Sequence, residues 1–267
     1  MIHNEMGTVL SNEEIAENIF QAVIHSPKIS NDSKAGQFIN ILPDLKWPNV
    51  MRRPMSIASQ DNGKISIIYK VFGYGTELIS DWRKNQKVDI IGPLGNWWND
   101  YEEKVPVLIG GGVGIAPIIN LHNDLISKSI EHYLIMGART KSEHFISHSP
   151  ENNIYLATDL DNYGIKGNVI NAFENFYEKL DKAKIKIFSC GPPGMMNAVK
   201  NYSIEKNISC DLALETIMAC GVGICQGCTV TLENNSNEAS YREKFALACL
   251  DGPIFNAKDI DNACFIH

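Results

Sequence analysis

Four of the seven cysteines in this chain lie between residues 220 and 249, and their spacing restricts what that region can fold into. Cys220, Cys225 and Cys228 follow the pattern C-x4-C-x2-C in a glycine-rich segment, and Cys249 lies further along. This is the spacing of plant-type [2Fe–2S] ligation. Glycines let a loop wrap a cluster closely, while the fourth thiolate comes from a separate segment. The pattern therefore predicts that these four cysteines hold a [2Fe–2S] cluster.

Two other interpretations of the cysteines stay open, namely structural zinc and buried free thiols. Zinc sites usually combine two short C-x2–4-C knuckles, whereas the second half of this pattern is a single cysteine with no histidine near it. An odd number of cysteines also fits poorly with a disulfide framework. Cys210 and Cys264 lack a partner pattern and are expected to be small buried hydrophobic residues.

Composition excludes several classes of protein. With 24 basic and 31 acidic residues the net charge is −7, which argues against a general nucleic-acid binder. The most apolar stretch, Val105–Ile119, is interrupted by glycines and prolines, so a membrane-spanning helix is not expected. Met1–Phe20 has no apolar core of a signal peptide. We therefore expect a cytoplasmic protein that binds neither nucleic acid nor membrane.

The first part of the chain, residues 1–101, has the pattern of a small antiparallel β-barrel. Short apolar runs alternate with turn residues, and Asp61-Asn62-Gly63 is a strong hairpin signal. One short helix, Thr76–Arg83, is expected among the strands. The predicted strands are Ile19–Ile24, Gln37–Leu42, Met55–Ser59, Lys64–Val71 and Lys87–Ile91.

The pattern changes after residue 101. Strands alternate with helices over residues 102–210, which predicts an α/β domain with a parallel sheet covered on both faces. Residues 211–267 form a small third domain that holds the cysteines. The predicted elements are strands Val105–Ile109, His132–Met136, Ile154–Ala157, Ile185–Ser189 and Thr229–Glu233, helices Ile115–Ser127, Val169–Leu180 and Met195–Lys206, and a polar loop Asn234–Ser240.

Two strand ends in the α/β part have the character of a nucleotide site. The run Val107–Pro117 reads as a strand, a glycine loop and a helix, and such a loop lets a pyrophosphate approach backbone amides. A strict G-x-G-x-x-G is absent, so a simple tight turn stays open. A second strand ends in Cys190-Gly191-Pro192, where the thiol would face a ligand or pack as a strand-end residue. The loop glycines are Gly110, Gly111, Gly112 and Gly114.

A basic segment in the barrel is a candidate flavin site. In Arg53-Pro54-Met55-Ser56, a guanidinium beside an extended strand can hold a diphosphate, and a nearby hydroxyl can reach a flavin ring edge. Pro54 removes one strand amide, which indicates an edge or open face. Gly73-Tyr74-Gly75-Thr76 before a helix is a candidate phosphate nest or a plain turn. Alone, each pattern is as well explained by an exposed arginine pair or a turn.

Taken in order, these motifs resemble the electron-transfer subunits of class 1B dihydroorotate dehydrogenase, a family of the ferredoxin-reductase superfamily. Arg53-Pro54-Met55-Ser56 resembles the superfamily's flavin motif. Ile68-Tyr69-Lys70 and Gly75-Thr76 resemble its remaining FAD contacts, and Gly110–Pro117 with Cys190-Gly191-Pro192 resembles its nicotinamide-nucleotide site. Met55 replaces the aromatic residue of many members, and Trp97-Trp98 replaces an expected Gly-Phe-like pair. We expect both tryptophans to be core residues, and the alternative is that they cover the adenine of the flavin or a partner.

The resemblance implies FAD, a [2Fe–2S] cluster and NAD(H) as cofactors, with Cys190 as the candidate catalytic residue near the nicotinamide. It also implies an FMN-containing catalytic subunit as partner, in a heterotetramer with two copies of each chain. The complex would oxidise dihydroorotate to orotate, and electrons would pass from FMN through the cluster and FAD to NAD⁺. A flavin between the nucleotide and the cluster agrees with the chemistry, because a flavin exchanges both hydride and single electrons.

Two alternatives to this function remain at the level of sequence. One is the flavin and iron–sulfur subunit of another NAD(P)H-linked complex, of the sulfhydrogenase or ferredoxin:NADP oxidoreductase type. The other is a zinc-stabilised nucleotide-binding module without electron transfer. Arg139 and Lys141 are offset by Glu143, so local charge favours neither nucleotide, and the resemblance implies NAD(H).

Overall fold

The N-terminal part of the molecule is a closed antiparallel barrel. The structure is a computed structural model that describes residues 1–46, 51–233 and 240–265. The barrel strands are β1 (His3–Ala16), β2 (Ile19–His25), β3 (Phe38–Ile41), β4 (Arg53–Asp61), β5 (Lys64–Lys70) and β6 (Lys87–Leu94), with helices α1 (Pro27–Asp32) and α2 (Tyr74–Ser80). They close in the order β1-β2-β5-β4-β3-β6 around a core of isoleucine and valine side chains.

The five strands predicted for the barrel are confirmed, and β1 is one that the sequence pattern missed. β1 pairs with both β2 and β6, so its role is to close the barrel between strands that are far apart in sequence. The predicted hairpin is also confirmed. Asn62 and Gly63 have φ angles of 48° and 75°, and Asp61 pairs with Lys64 across the turn. The predicted helix is α2, which begins two residues earlier than expected.

A seven-stranded sheet forms the centre of the molecule. Six of its strands and the helices that connect them follow one another along the chain: β7 (Val105–Gly111), α3 (Ile115–Ser127), β8 (Tyr133–Ala138), β9 (Ile154–Thr158), β10 (Ile165–Lys166), α4 (Val169–Tyr177), β11 (Ile185–Cys190), α5 (Pro193–Glu205) and β12 (Ser209–Ala213). These strands are parallel in the order β10-β9-β8-β7-β11-β12. The predicted α/β domain with a parallel sheet is therefore confirmed.

The first strand of this sheet, β7, lies between β8 and β11, so the order of the strands reverses at the β7–β11 pair. The loops that follow β7 and β11 leave the same edge of the sheet, which is where ligands bind in open α/β folds. The register places Gly110 beside Cys190. The fold thus brings together the two motifs predicted to form a nucleotide site.

The C-terminal region contains the remaining elements, β13 (Thr229–Thr231), α6 (Tyr241–Lys244), β14 (Phe245–Leu247) and β15 (Ile254–Asn256). β13 and β14 form a small hairpin-like sheet, whereas β15 joins the central sheet antiparallel to β12. The predicted start of the third domain at residue 211 falls inside β12, and the three domain boundaries stay a prediction. Most of the predicted loop, residues 234–239, lies outside the described residues.

Buried polar contacts join the barrel to the central sheet. Asn120 on α3 donates its side-chain N–H to the carbonyl of Ile57 on β4 at 3.0 Å. Lys186 on β11 is buried and pairs at 3.1 Å with Asp100, which lies in the segment that leads from the barrel to the sheet. Within the sheet, Lys186 also pairs with Asp211 on the neighbouring strand β12 at 2.8 Å. No described helix is long and apolar enough to cross a membrane.

The two tryptophans after the barrel differ in their environment. Trp98 is buried and donates its indole N–H to the Pro117 carbonyl, so the prediction of a core residue is confirmed for it. For Trp97 the prediction is wrong, because 42% of its surface is exposed and the Lys34 ammonium lies 3.9 Å from its ring centre. The Pro117 carbonyl and the Phe188 ring hold Trp98 inside, whereas Trp97 packs against Lys34 at the surface, so only one of the pair enters the core.

Candidate functional site

A cavity of about 240 Å³ lies against the outer face of the barrel. The barrel contributes one wall and the segment after β12 contributes another. Seven of the residues predicted to bind FAD line it: Pro54, Met55, Ser56, Ile68, Tyr69, Lys70 and Thr76. The structure therefore brings two separate sequence motifs, one on β4 and one on β5, to a single concave surface.

Arg53 and Gly75 lie next to each other beside this cavity. A Cβ atom built on Gly75 would lie 2.7 Å from Arg53 Nε, so the absence of a side chain at residue 75 makes room for the guanidinium stem. Arg52 points elsewhere and forms a two-point ion pair with Asp89, with nitrogen–oxygen distances of 2.9 and 3.1 Å. The two neighbouring arginines thus have different partners, as expected for successive residues of an extended segment.

Sequence reasoning missed part of the wall of this cavity. Leu214, Glu215, Thr216 and Met218, which follow β12, also line it. The Thr216 hydroxyl is buried without a hydrogen-bond partner. Glu215 is solvent-exposed, yet desolvation by the surrounding protein raises the pKa of its carboxyl. The signal that could have identified this segment is its position immediately before the cysteine loop.

A second cavity, of about 490 Å³, opens at the edge of the central sheet where β7 and β11 end. Gly111, Gly112 and Pro192 line it, together with residues from the ends of β8 and β9 and the start of α4. The other predicted glycines play a packing role beneath it. A Cβ atom on Gly114 would lie 2.6 Å from the backbone of Gly191, and one on Gly110 would collide with Ile115. Glycine at these positions allows the two loops to touch.

The two cavities adjoin, since Lys70 and Val113 line both of them. Lys70 at the end of β5 forms a 2.9 Å ion pair with Glu143, which lies in the loop after β8. Glu143 also accepts the backbone N–H of Arg139 at 2.9 Å. Burial tends to raise the pKa of Glu143, but these hydrogen bonds outweigh it and lower the pKa. A charged pair therefore spans the boundary between the barrel and the sheet.

Cys190, the predicted catalytic residue, is part of the core at the end of β11. Its side chain is buried and lines neither cavity. Burial raises the pKa of its thiol well above the usual value, so the thiol stays protonated at neutral pH. The structure does not place Cys190 in contact with either cavity, and a catalytic role for it stays a prediction.

Three of the predicted cluster cysteines, Cys220, Cys225 and Cys228, lie in the loop that follows the first cavity, and the fourth, Cys249, contacts this loop. The Cys228 and Cys249 sulfurs lie 3.2 Å apart. The amides of Val222 and Cys225 donate to the Cys220 sulfur, each at 3.4 Å. Gly223 donates its N–H to the Cys249 sulfur at 3.2 Å, and Gly227 donates to that of Cys225 at 3.4 Å. Backbone donors therefore surround the thiols.

This donor set fits a two-iron cluster better than one zinc ion. Within residues 1–46, 51–233 and 240–265, no three cysteine, histidine or acidic side chains converge as a single metal ion would require. The close Cys228–Cys249 pair instead offers two thiols at one point, with Cys220 and Cys225 linked through a backbone hydrogen bond. Burial opposes ionisation of the Cys220 thiol, but amide hydrogen bonds outweigh burial and lower the pKa of this thiol. These hydrogen bonds therefore favour the thiolate that iron needs.

Two family models match the chain. Residues 215–261 match the iron-sulfur cluster binding domain of dihydroorotate dehydrogenase B, and residues 108–201 match an oxidoreductase NAD-binding domain. These ranges contain the cysteine loop and the second cavity's glycine and proline residues. The match supports the [2Fe–2S] interpretation of the cysteines over the zinc interpretation.

Relatives and solved structures agree with this assignment. The electron transfer subunit of dihydroorotate dehydrogenase B (NAD(+)) from Streptococcus mutans is 34% identical over 97% of this chain and 99% of its own length. That from Bacillus pumilus is 30% identical over 96% and 98%. The solved structure of an NADH-dependent reduced ferredoxin-NADP oxidoreductase is 26% identical, with a TM-score of 0.84 over 99% of this chain and 92% of that chain. The chain therefore belongs to the family of electron transfer subunits of dihydroorotate dehydrogenase B.

Proposed function

We propose that this chain is the electron transfer subunit of an NAD⁺-dependent dihydroorotate dehydrogenase and carries FAD, a [2Fe–2S] cluster and an NAD(H) site. One observation carries the proposal. A single segment, Leu214–Met218, forms a wall of the first cavity and continues directly into Cys220. The second cavity adjoins the first through Lys70 and Val113. The three sites are thus contiguous, as electron transfer between a nucleotide and a cluster requires.

The first cavity is the proposed FAD site. Arg53 supplies the positive charge for the diphosphate, and Ser56 and Thr216 supply hydroxyls toward the ring system. The unpartnered Thr216 hydroxyl supports this assignment, since buried polar atoms nearly always have a partner. When bound, FAD exchanges a hydride with nicotinamide and single electrons with an iron–sulfur cluster.

The second cavity is the proposed NAD(H) site. Gly111 and Gly112 leave the backbone open to a pyrophosphate at the end of β7. Arg139 and Lys70 line this cavity together with Glu143 and Asp159, so two carboxylates balance two cations and no net positive charge is left for a 2′-phosphate. This balance supports NAD(H) over NADP(H), in agreement with the family.

The proposed partner is the FMN-containing catalytic subunit, in a heterotetramer with two copies of each chain. Together they convert dihydroorotate and NAD⁺ to orotate, NADH and a proton. Two large apolar residues beside the cluster loop support a docking surface there, since Ile217 is 77% exposed and Ile224 is 81% exposed. The cytoplasm is the proposed location, because none of the seven cysteines forms a disulfide.

A ferredoxin:NADP oxidoreductase subunit is the second candidate function, favoured by the structural likeness with a TM-score of 0.84. Its sequence identity of 26% is lower than the 34% to the dihydroorotate dehydrogenase B subunit. The match of residues 215–261 to that enzyme's cluster domain also supports the first candidate.

Reconstitution with a catalytic subunit tests the proposal. The purified chain should show flavin and iron–sulfur absorption and oxidise NADH with a dye, yet leave dihydroorotate unchanged. Addition of a class 1B catalytic subunit should confer dihydroorotate:NAD⁺ activity. Turnover of dihydroorotate by the isolated chain would refute the proposal. It would also be refuted if no class 1B catalytic subunit bound this chain.

A matched pair of variants tests the docking surface. Ile224→Asp should abolish the activity of the complex while it leaves NADH:dye activity intact, because a charge would be buried at the interface. Ile126→Asp places the same charge on α3, where Ile126 is 57% exposed, and should change neither activity. Equal effects of the two variants would exclude the cluster loop as the docking surface.

A further inference from the structure

Asn40 on β3 is a buried amide without a hydrogen-bond partner. Its side chain has no exposed surface, and neither Nδ2 nor Oδ1 is hydrogen-bonded. Among the described residues it is the only side chain with two such atoms. Burial of an unpaired amide is costly, and nearly all buried polar groups in proteins are paired. This site therefore calls for a partner that the protein itself does not supply.

Asn40 lies between the proposed flavin cavity and the cysteine loop. Ile39 and Ile41 belong to the barrel core, so the alternation of a strand turns Asn40 outward. Its partner across the ladder is Pro54, which lines the flavin cavity. On the other side, a Cβ atom built on Gly221 would lie 2.7 Å from Asn40 Nδ2. The amide is thus pressed against the residue that follows Cys220.

The surroundings of the amide favour sulfur as its acceptor. Leu94, the other side chain closest to that Gly221 position, is apolar and buried. The neighbouring backbone amides of Val222 and Gly223 already donate to cysteine sulfurs. A side-chain N–H at this position adds one more donor to the same loop. Hydrogen bonds to the sulfurs are one of the factors that set the reduction potential of a cluster.

We propose that Asn40 donates a side-chain hydrogen bond to the [2Fe–2S] cluster held by the cysteine loop and thereby raises its reduction potential. The inference rests on the proposed function, because it requires that cluster. The direction follows from charge, since a donor stabilises the more negative, reduced form more than the oxidised form. Gly221 is part of the same arrangement, because any larger residue there would displace the amide.

Isotope labelling of the wild-type protein tests the contact without a substitution. With ¹⁵N-asparagine incorporated, electron–nuclear coupling to ¹⁵N should appear in the spectrum of the reduced cluster. The loop from Cys220 to Cys228 contains no asparagine, so the coupled nitrogen must come from elsewhere in the fold. The coupling should disappear in Asn40→Leu. A loaded wild type without ¹⁵N coupling, or a coupling that persists in Asn40→Leu, would overturn the inference.

A redox titration followed by electron paramagnetic resonance tests the consequence. At the wild-type midpoint potential, Asn40→Leu should lower the ratio of reduced to oxidised cluster by about threefold to tenfold. This is the factor that corresponds to the net free energy of a typical hydrogen bond. The matched control is Asn120→Leu, which removes a buried amide that already has a protein partner, the Ile57 carbonyl. It should destabilise the fold and leave the cluster potential unchanged.

The outcomes separate the inference from the proposed function. Wild-type protein that binds no iron–sulfur cluster would refute the proposed function. A loaded protein in which Asn40→Leu leaves the cluster potential unchanged, or shifts only the flavin potential, would refute the inference alone. Equal potential shifts in the Asn40 and Asn120 variants would also refute it, since they would reflect a general loss of packing.

Discussion

Gly114→Ala should separate the two loops that form the nucleotide site. A Cβ atom at residue 114 would lie 2.6 Å from Cα and N of Gly191 and 2.7 Å from the carbonyl carbon of Cys190. All three atoms belong to the backbone, so no side chain can rotate away. Gly114 has a φ angle of −62°, which alanine adopts without strain, and the effect of the substitution is therefore purely steric.

The magnitude follows from the distance. The loops would have to part by roughly 0.8 Å to reach the ordinary contact distance of 3.4 Å. Overpacking of this kind costs about 1–3 kcal/mol in the free energy of unfolding. The control is Gly194→Ala on α5, which lines the same cavity and has no atom within 4 Å of a built Cβ. In a helix alanine is favoured over glycine, so the control should gain up to about 1 kcal/mol.

Urea denaturation and NADH titration measure the two consequences. Gly114→Ala should lower the free energy of unfolding and weaken NADH binding, because the cavity is built on the contact between the loops. Gly194→Ala is the control for stability alone and should not lower the free energy of unfolding. If Gly114→Ala is as stable as the wild type and binds NADH equally well, the backbones of the two loops are not in contact at residues 114 and 191.

Three further predictions concern the cluster, FAD and pH. Cys225→Ser should lose most of the cluster iron, whereas Cys264→Ser should retain it by iron assay. Arg53→Ala should raise the dissociation constant for FAD by about tenfold or more through the loss of charge-assisted hydrogen bonds, whereas Arg52→Ala should lower stability and keep FAD. Burial, together with the nearby charge of His132, lowers the pKa of His122 from 6.5 to about 4. The unfolded chain therefore binds more protons than the folded protein between pH 6.5 and pH 4, so the free energy of unfolding should decrease by about 2 kcal/mol, after solvent screening, as the pH is lowered through that window. His122→Asn should flatten this dependence in urea titrations at pH 7 and pH 5.

The sequence alone determined the features that depend on local spacing. The pattern of Cys220, Cys225 and Cys228 is a loop motif, and it identifies its chemistry without knowledge of the fold. The glycine run after β7 is likewise local, since strand, turn and helix are consecutive. Most strands and helices were predictable because their apolar periodicity is set by their own residues.

The structure alone revealed features that depend on distant segments. β1 reads as a polar segment by itself, and it becomes a strand because β2 and β6 both pair with it. Trp97 and Trp98 are chemically identical neighbours, and only the packing on Phe188 and the Pro117 carbonyl selects Trp98 for the core. Propensity carries no information about such choices, because they are made by tertiary contacts.

The candidate site shows the same division. The sequence identified the barrel side of the flavin cavity but not Thr216, whose hydroxyl matters only because the segment after β12 folds back against β4 and β5. It gave no reason to single out Asn40, which becomes notable only when Gly221 closes over it. A residue type and its spacing determine what chemistry a motif can supply. Which side chains share a cavity, and which buried polar atoms lack a partner, is decided by tertiary packing, because those distances join residues far apart in the chain.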